Sequence, residues 1–207
     1  DAGYGIELDV QLSKDGVPVI FHDFTLKRIC RTNLRVSELT LSELKSLRLF
    51  SSDETIPTLK QVLDVVDGRV PLIIEYKLED FQCNVCKISD ILLREYNGPY
   101  CIESFHPLAV YWYRKNRPQV VRGQLSSNFL REGELSPALF FVRHLLFNFL
   151  TRPTFVAYNC IDKHSVSRRL CRRLYKNPSV AWTIHSEKEL ADNRSNFDWF
   201  IFEGFCP

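Results

Sequence analysis

The chain has no methionine, no segment of about 20 consecutive apolar residues and almost no charge imbalance. Its net charge of +2 over 207 residues is too small to argue for nucleic acid, and no DNA- or RNA-binding motif accompanies it. The most apolar stretch, Leu139 to Leu150, is too short to span a bilayer as a helix. No linker, repeat or low-complexity tract marks a boundary, so a single domain over residues 1–207 is expected. Cys83-Asn-Val-Cys86 has no second Cys or His pair at ligand spacing, which argues against zinc. The seven cysteines are scattered and odd in number, as in an intracellular protein with reduced thiols. A cytoplasmic location is therefore expected, with association to a membrane as the alternative. The lack of methionine, even at position 1, suggests that the natural start lies upstream of Asp1.

What is present is ordinary globular composition, 45% hydrophobic and 25% charged. Apolar runs of strand length alternate with helical patterns. Strands are expected at 5–10, 17–21, 71–77, 99–105, 120–125, 154–158, 179–184 and 199–202. Helices are expected near 40–47, 58–66, 83–96, 107–116, 136–150, 163–175 and 186–191. Thr40-Leu-Ser-Glu43 has the form of a capping box, and Asp162 is the expected N-cap of helix 163–175. Helix 83–96 should turn Val85, Ile88, Ile91 and Leu92 inward. Alternation of this kind implies parallel βαβ units, with seven main strands beside the short return strand 17–21.

The stretch from Gly5 to Asp23 carries the chemistry. Ile6, Leu8 and Val10 alternate with Glu7, Asp9 and Gln11, so the two carboxylates share one strand face. Lys14-Asp15-Gly16 reads as a turn, and Val17 to Phe21 returns the chain to His22-Asp23. Taken alone, an E-x-D pair is more often a solvated strand face than a ligand set. A second acid shifts that balance: Pro71-Leu-Ile-Ile-Glu-Tyr-Lys77 is another apolar run, ending in an acid and a base on one face. Charges at the end of a buried strand need partners, because burying them unpaired is costly. Glu7, Asp9 and Glu75 together offer hard oxygen ligands for Mg²⁺ or Ca²⁺, with His22 as acid or base beside them.

These residues resemble the glycerophosphodiester phosphodiesterase family. The likeness lies in Glu7-Leu-Asp9, the Lys14-Asp-Gly-Val-Pro-Val-Ile-Phe-His-Asp23 segment, Ile56-Pro-Thr-Leu59 and Glu75-Tyr-Lys77. Glu103-Ser-Phe105 and Trp182-Thr183 extend it along the chain. The resemblance implies a (β/α)₈ TIM barrel whose first βα unit, with its His-Arg-Gly strand and second histidine, is absent here. It also implies metal-dependent hydrolysis of glycerophosphodiesters to glycerol 3-phosphate and an alcohol. On that likeness Glu7, Asp9 and Glu75 are metal ligands, His22 and Lys77 are catalytic, and Lys77 and Trp182 contact substrate. A lipid-directed phospholipase C- or D-type phosphodiesterase, or a metal-binding homologue without turnover, is the alternative.

Two further segments bear on partners. Within 136–150, His144, Asn148 and Thr151 form a narrow polar stripe on an otherwise apolar helix, suited to burial, to pairing in a homo-oligomer or to peripheral membrane contact. Helix 163–175 sets Arg168, Arg169, Arg172, Arg173 and Lys176 around Val166, Leu170 and Leu174, a basic face that should be solvated or touch anionic lipid.

Overall fold

The computed structural model describes residues 3–79, 81–129 and 137–207, the last with side chains from residue 140 onward. The chain forms two compact units, Asp1–Ile102 and Glu103–Pro207, and the division falls within strand β4 (Tyr100–Ser104).

In the first unit, β1 (Ile6–Leu12) pairs antiparallel with β2 (Pro18–Ile20) and parallel with β3 (Leu72–Tyr76). Gly16 makes the intervening turn at φ +79, a conformation that costs glycine nothing, and Pro18 opens β2 as expected of a strand start. The parallel register sets Asp9 opposite Glu75, and this single match positions the site. Short helix α1 (Lys27–Cys30), α2 (Leu41–Ser46) and α3 (Leu59–Val66) follow the hairpin. Both α2 and α3 begin in capping boxes, through Thr40 with Glu43 and Thr58 with Gln61. Val19, Phe21, Leu26, Val36, Leu44 and Ile56 close over the hairpin as one apolar cluster.

Helix α4 (Asn84–Glu95) buries Val85, Cys86, Ser89, Asp90 and Leu93. Ile91, expected inward, is exposed. The helix is turned so that Asp90 lies inside, with Arg94 reaching it at 2.9 Å, and a buried carboxylate held this way displaces an aliphatic side chain from the inner face.

In the second unit, β5 (Arg122–Ser126), β6 (Phe155–Asn159), β7 (Ser179–Ile184) and β8 (Trp199–Phe202) run parallel in that order. Helix α5 (Pro107–Asn116) precedes β5, and α9 (Glu187–Asn193) lies between β7 and β8. The register between β7 and β8 shifts between Ala181 and Ile184, the step that includes Trp182.

The single helix expected over 136–150 is two. Residue 136 lies outside the described residues; α6 covers Pro137–Arg143 and α7 covers Asn148–Thr151. Leu145, at φ +57, takes the chain out of helical conformation and drops its side chain into the core. Helix α8 (Val166–Tyr175) begins later than expected: Ser165, not Asp162, caps it, and Cys160–Asp162 forms a separate 3₁₀ turn. Arg169, Arg172, Arg173 and Lys176 are exposed, as expected of the basic face, and one cation departs from it. Arg168 is buried, whereas Val166, Leu170 and Leu174 are exposed.

The Thr58 cap gives a direct stability test. Thr58→Ala removes the acceptor for the Gln61 amide and should cost about 1 kcal/mol, read as a lower urea midpoint with unchanged slope. A midpoint equal to that of the parent would show that the cap contributes nothing.

Candidate active site

Alternation along β1 sends Glu7, Asp9 and Gln11 to one face, and the β1–β3 register brings Glu75 beside Asp9. One oxygen from each of Glu7, Asp9 and Glu75 lies within 4.8 Å of the others. Two oxygens on opposite sides of one ion stand about twice the metal–oxygen distance apart, ~4.1 Å for Mg²⁺ and ~4.8 Å for Ca²⁺. The donor set is hard carboxylate oxygen throughout. The cluster therefore fits a divalent cation of that kind.

Lys77 closes the cluster from the end of β3. Its Nζ stands 3.0 Å from Asp9 Oδ1 and 2.5 Å from Glu75 Oε1, with all three side chains largely shielded from water. Its backbone amide donates to the Val10 carbonyl, which anchors the residue to β1. Burial pushes the Glu75 carboxyl up, and the neighbouring Asp9 charge adds to that against the pull of Lys77. Burial alone would lower Lys77, but Glu75 and then Asp9 outweigh it, so its net displacement is upward. Three carboxylates against one ammonium leave two net negative charges, which suits a divalent ion. Deleting the ammonium alone would leave that charge uncompensated, a loss of about 3–5 kcal/mol for a buried pair.

His22, at the end of the hairpin, is presented to solvent and gripped at one nitrogen. Its Nδ1 lies 2.6 Å from Asp23 Oδ1, and Arg28 holds the same carboxylate through Nε at 2.7 Å and Nη2 at 2.9 Å. With Nδ1 donating to Asp23, the proton-accepting position of the neutral ring is Nε2. The hydrogen bond from Arg28 lowers the Asp23 carboxyl to about 2, with a smaller contribution from His22.

The sequence pattern did not reveal the role of Gln11. Its side chain is buried, and Nε2 donates to the Phe21 carbonyl at 2.6 Å and the Asp23 carbonyl at 2.8 Å, on either side of His22. The signal was its place as third polar residue, after Glu7 and Asp9, on one strand face. Arg28 escaped notice as well, because nothing in its local pattern points to Asp23.

Trp182 lies in the second unit, on the irregular step of β7. Its ring meets Phe105 edge-on at 5.4 Å, and its buried indole N–H has no hydrogen-bond partner among the described residues. In the same unit the Gln124 amide donates to the Ser104 and Phe105 carbonyls at 3.1 and 3.0 Å, which fixes the chain at Phe105. Glu103 is buried.

Residues 2–132 match the glycerophosphoryl diester phosphodiesterase family. The chain belongs to that family. YhdW of Bacillus subtilis is 29% identical over 197 residues, which is 90% of this chain and 76% of that protein. A glycerophosphodiester phosphodiesterase of Caldanaerobacter subterraneus is 41% identical over 72 residues, 31% of this chain and 29% of that protein. Among solved structures, an Oleispira antarctica phosphodiesterase in complex with its product sn-glycerol-3-phosphate superposes with a TM-score of 0.79 at 24% identity. That match covers 96% of this chain and 81% of the other. The likeness shows the α/β fold of the family, the TIM-barrel class that the resemblance implied. All seven cysteines are free thiols, and among the described residues no helix is long and apolar enough to cross a membrane.

The clamp on His22 has a spectroscopic test. The Asp23 carboxyl should titrate near pH 2 by carbon-detected NMR, and Arg28→Ala should move it back toward the ordinary ~3.9. A group depressed in the folded state stabilises it above the unfolded pKa, so this contribution should fade as pH falls from about 4 to about 2. An Asp23 midpoint near 4 in the parent chain would mean that the clamp does not exist in solution.

Proposed function

We propose that this family member hydrolyses glycerophosphodiesters to glycerol 3-phosphate and an alcohol, using a divalent cation held by Glu7, Asp9 and Glu75. The observation that supports the reading is the convergence of three carboxylates within 4.8 Å beside a buried ammonium. Product-bound Oleispira phosphodiesterase, with the same fold, supports the choice of product.

A phosphodiester anion repels nucleophiles, and its alkoxide is a poor leaving group. When bound, Mg²⁺ or Ca²⁺ would act as a Lewis acid on a non-bridging phosphoryl oxygen. Glu7, Asp9 and Glu75 would hold it, and their register on adjacent strands keeps the oxygens together without loop movement. Lys77 stands as a fixed positive charge against the phosphate and favours the more highly charged transition state. Held at Nδ1 by Asp23, His22 exchanges a proton at Nε2 with the reacting oxygen. Trp182 keeps its assignment as a substrate contact on the family resemblance alone.

Glu75→Gln and Asp9→Asn should each abolish cation-dependent hydrolysis of glycerophosphocholine. They should also remove the rise in melting temperature that Mg²⁺ or Ca²⁺ produces in the parent chain. Full metal-dependent activity in either variant would refute the ligand assignment. His22→Ala should lower kcat by about 10²–10⁴-fold while keeping the metal-induced rise in melting temperature. Substrates with a good leaving group should lose less, because they need no proton on departure. Equal loss on both substrates would exclude the acid role for His22.

A further inference from the structure

Outside the proposed active site, the second unit carries an inversion of the usual pattern of burial. In the segment from α6 to α7, Asn148 and Thr151 are almost wholly buried, at 1% and 2%. Phe140, Phe141, Leu146, Phe149 and Leu150 stand 44–60% exposed. Helix α8 does the same. Arg168 is 2% exposed, while Val166, Leu170 and Leu174, spaced four apart on one ridge, are 71%, 53% and 66% exposed. Single exposed apolar residues are ordinary, whereas a grouped set on adjoining elements is not.

The two elements adjoin through their polar groups. His144 Nδ1 lies 2.9 Å from Ser167 Oγ, and the Asn148 amide reaches Cys171 Sγ at 4.0 Å. Leu145 and Cys171 share a core cluster with Val156, Tyr158 and Ala181, so both elements are fixed against the sheet of this unit. These contacts turn His144 and Asn148 toward α8, and the apolar side chains are left on the outside. Phe140 stacks against the His144 ring at 4.4 Å, beside the seam that Ser167 completes from α8.

Charge identifies what they meet. On α8 the apolar ridge is bordered by Arg169 and Arg173, with Lys176 at the helix end. Arg172 is neutralised by Asp198 at 2.6 Å, but among the described residues no carboxylate pairs with Arg169, Arg173 or Lys176. A cavity of about 800 Å³ opens beside them, lined by these cations, Asp198 and Trp199, the last 68% exposed. Apolar ridge, uncompensated cations and an exposed indole together match the interface of an anionic bilayer, where each group finds its own layer. A second copy would bring cation against cation.

We propose that the outer face of α6, α7 and α8 docks on an anionic lipid bilayer, with the apolar ridge entering the headgroup boundary and Arg169, Arg173 and Lys176 facing lipid phosphates. None of these residues is assigned to hydrolysis, so docking and turnover can be altered independently.

Sedimentation with phosphatidylcholine vesicles, with and without phosphatidylglycerol, tests this. The full chain should bind the mixed vesicles, bind phosphatidylcholine alone weakly, and release as salt rises. Exchanging Arg169, Arg173 and Lys176 for Gln should weaken binding to mixed vesicles by about 10²-fold for three charges. Leu170→Gln with Leu174→Gln should abolish binding. Both sets are surface changes, so unaltered hydrolysis of soluble glycerophosphocholine and an unaltered circular dichroism spectrum report intact folding. Failure of the parent chain to bind mixed vesicles overturns the proposal, as does binding that neither set of substitutions reduces. A dimer in sedimentation velocity that Leu170→Gln dissociates, with no vesicle binding, would also overturn it and assign the face to a second copy.

Discussion

The ammonium of Lys77, placed between Asp9 and Glu75, is the interaction on which the rest of the first unit depends. Three carboxylates cannot be drawn together in a shielded place without a compensating charge, and desolvation makes each one costly. Lys77 meets part of that cost and leaves a residual negative charge matched to a divalent ion. The strands make this possible at no conformational expense. Parallel register sets Asp9 against Glu75, Glu7 follows two residues earlier on the same face, and the Lys77 amide is tied to Val10. A slip of one residue would turn all of them to the other side of the sheet.

The hairpin that follows extends the same logic to a mobile type of group. A histidine at the end of a short strand would ordinarily sample many orientations. Here Gln11 holds the backbone on either side, and the Asp23–Arg28 pair holds the ring. The catalytic candidate is therefore exposed at its tip and fixed at its base. That combination is what proton transfer to a bound substrate requires.

The second unit solves a different problem. Its strands and core residues pack conventionally, yet the covering helices bury Asn148, Thr151 and Arg168 and expose phenylalanine, leucine and valine. Arg168 is accepted inside because its guanidinium donates to the Asn196 and Lys163 carbonyls and lies 4.2 Å over the Phe197 ring. Amphipathic patterning assumes that the apolar face turns inward. That assumption fails where carbonyls at loop ends and an aromatic ring give a buried cation partners. Ile91 and Asp90 on α4 show the same exchange on a smaller scale.

Periodicity alone determined much of this protein. Alternation at Glu7 and Asp9, the Gly16 turn, the Thr40 and Thr58 caps and the order of strands and helices are local consequences of residue type, and each is legible in the order of residues along the chain. The convergence of Glu75 on Asp9 was legible only as two acids ending apolar strands; the distance between them is a property of strand register. Gln11 and Arg28 acquire their roles from contacts 10 to 12 and 5 residues away, made when the hairpin folds back. The break at Leu145 and the direction of the faces of α8 were decided by tertiary structure, because a helix has no preferred side until something packs against it.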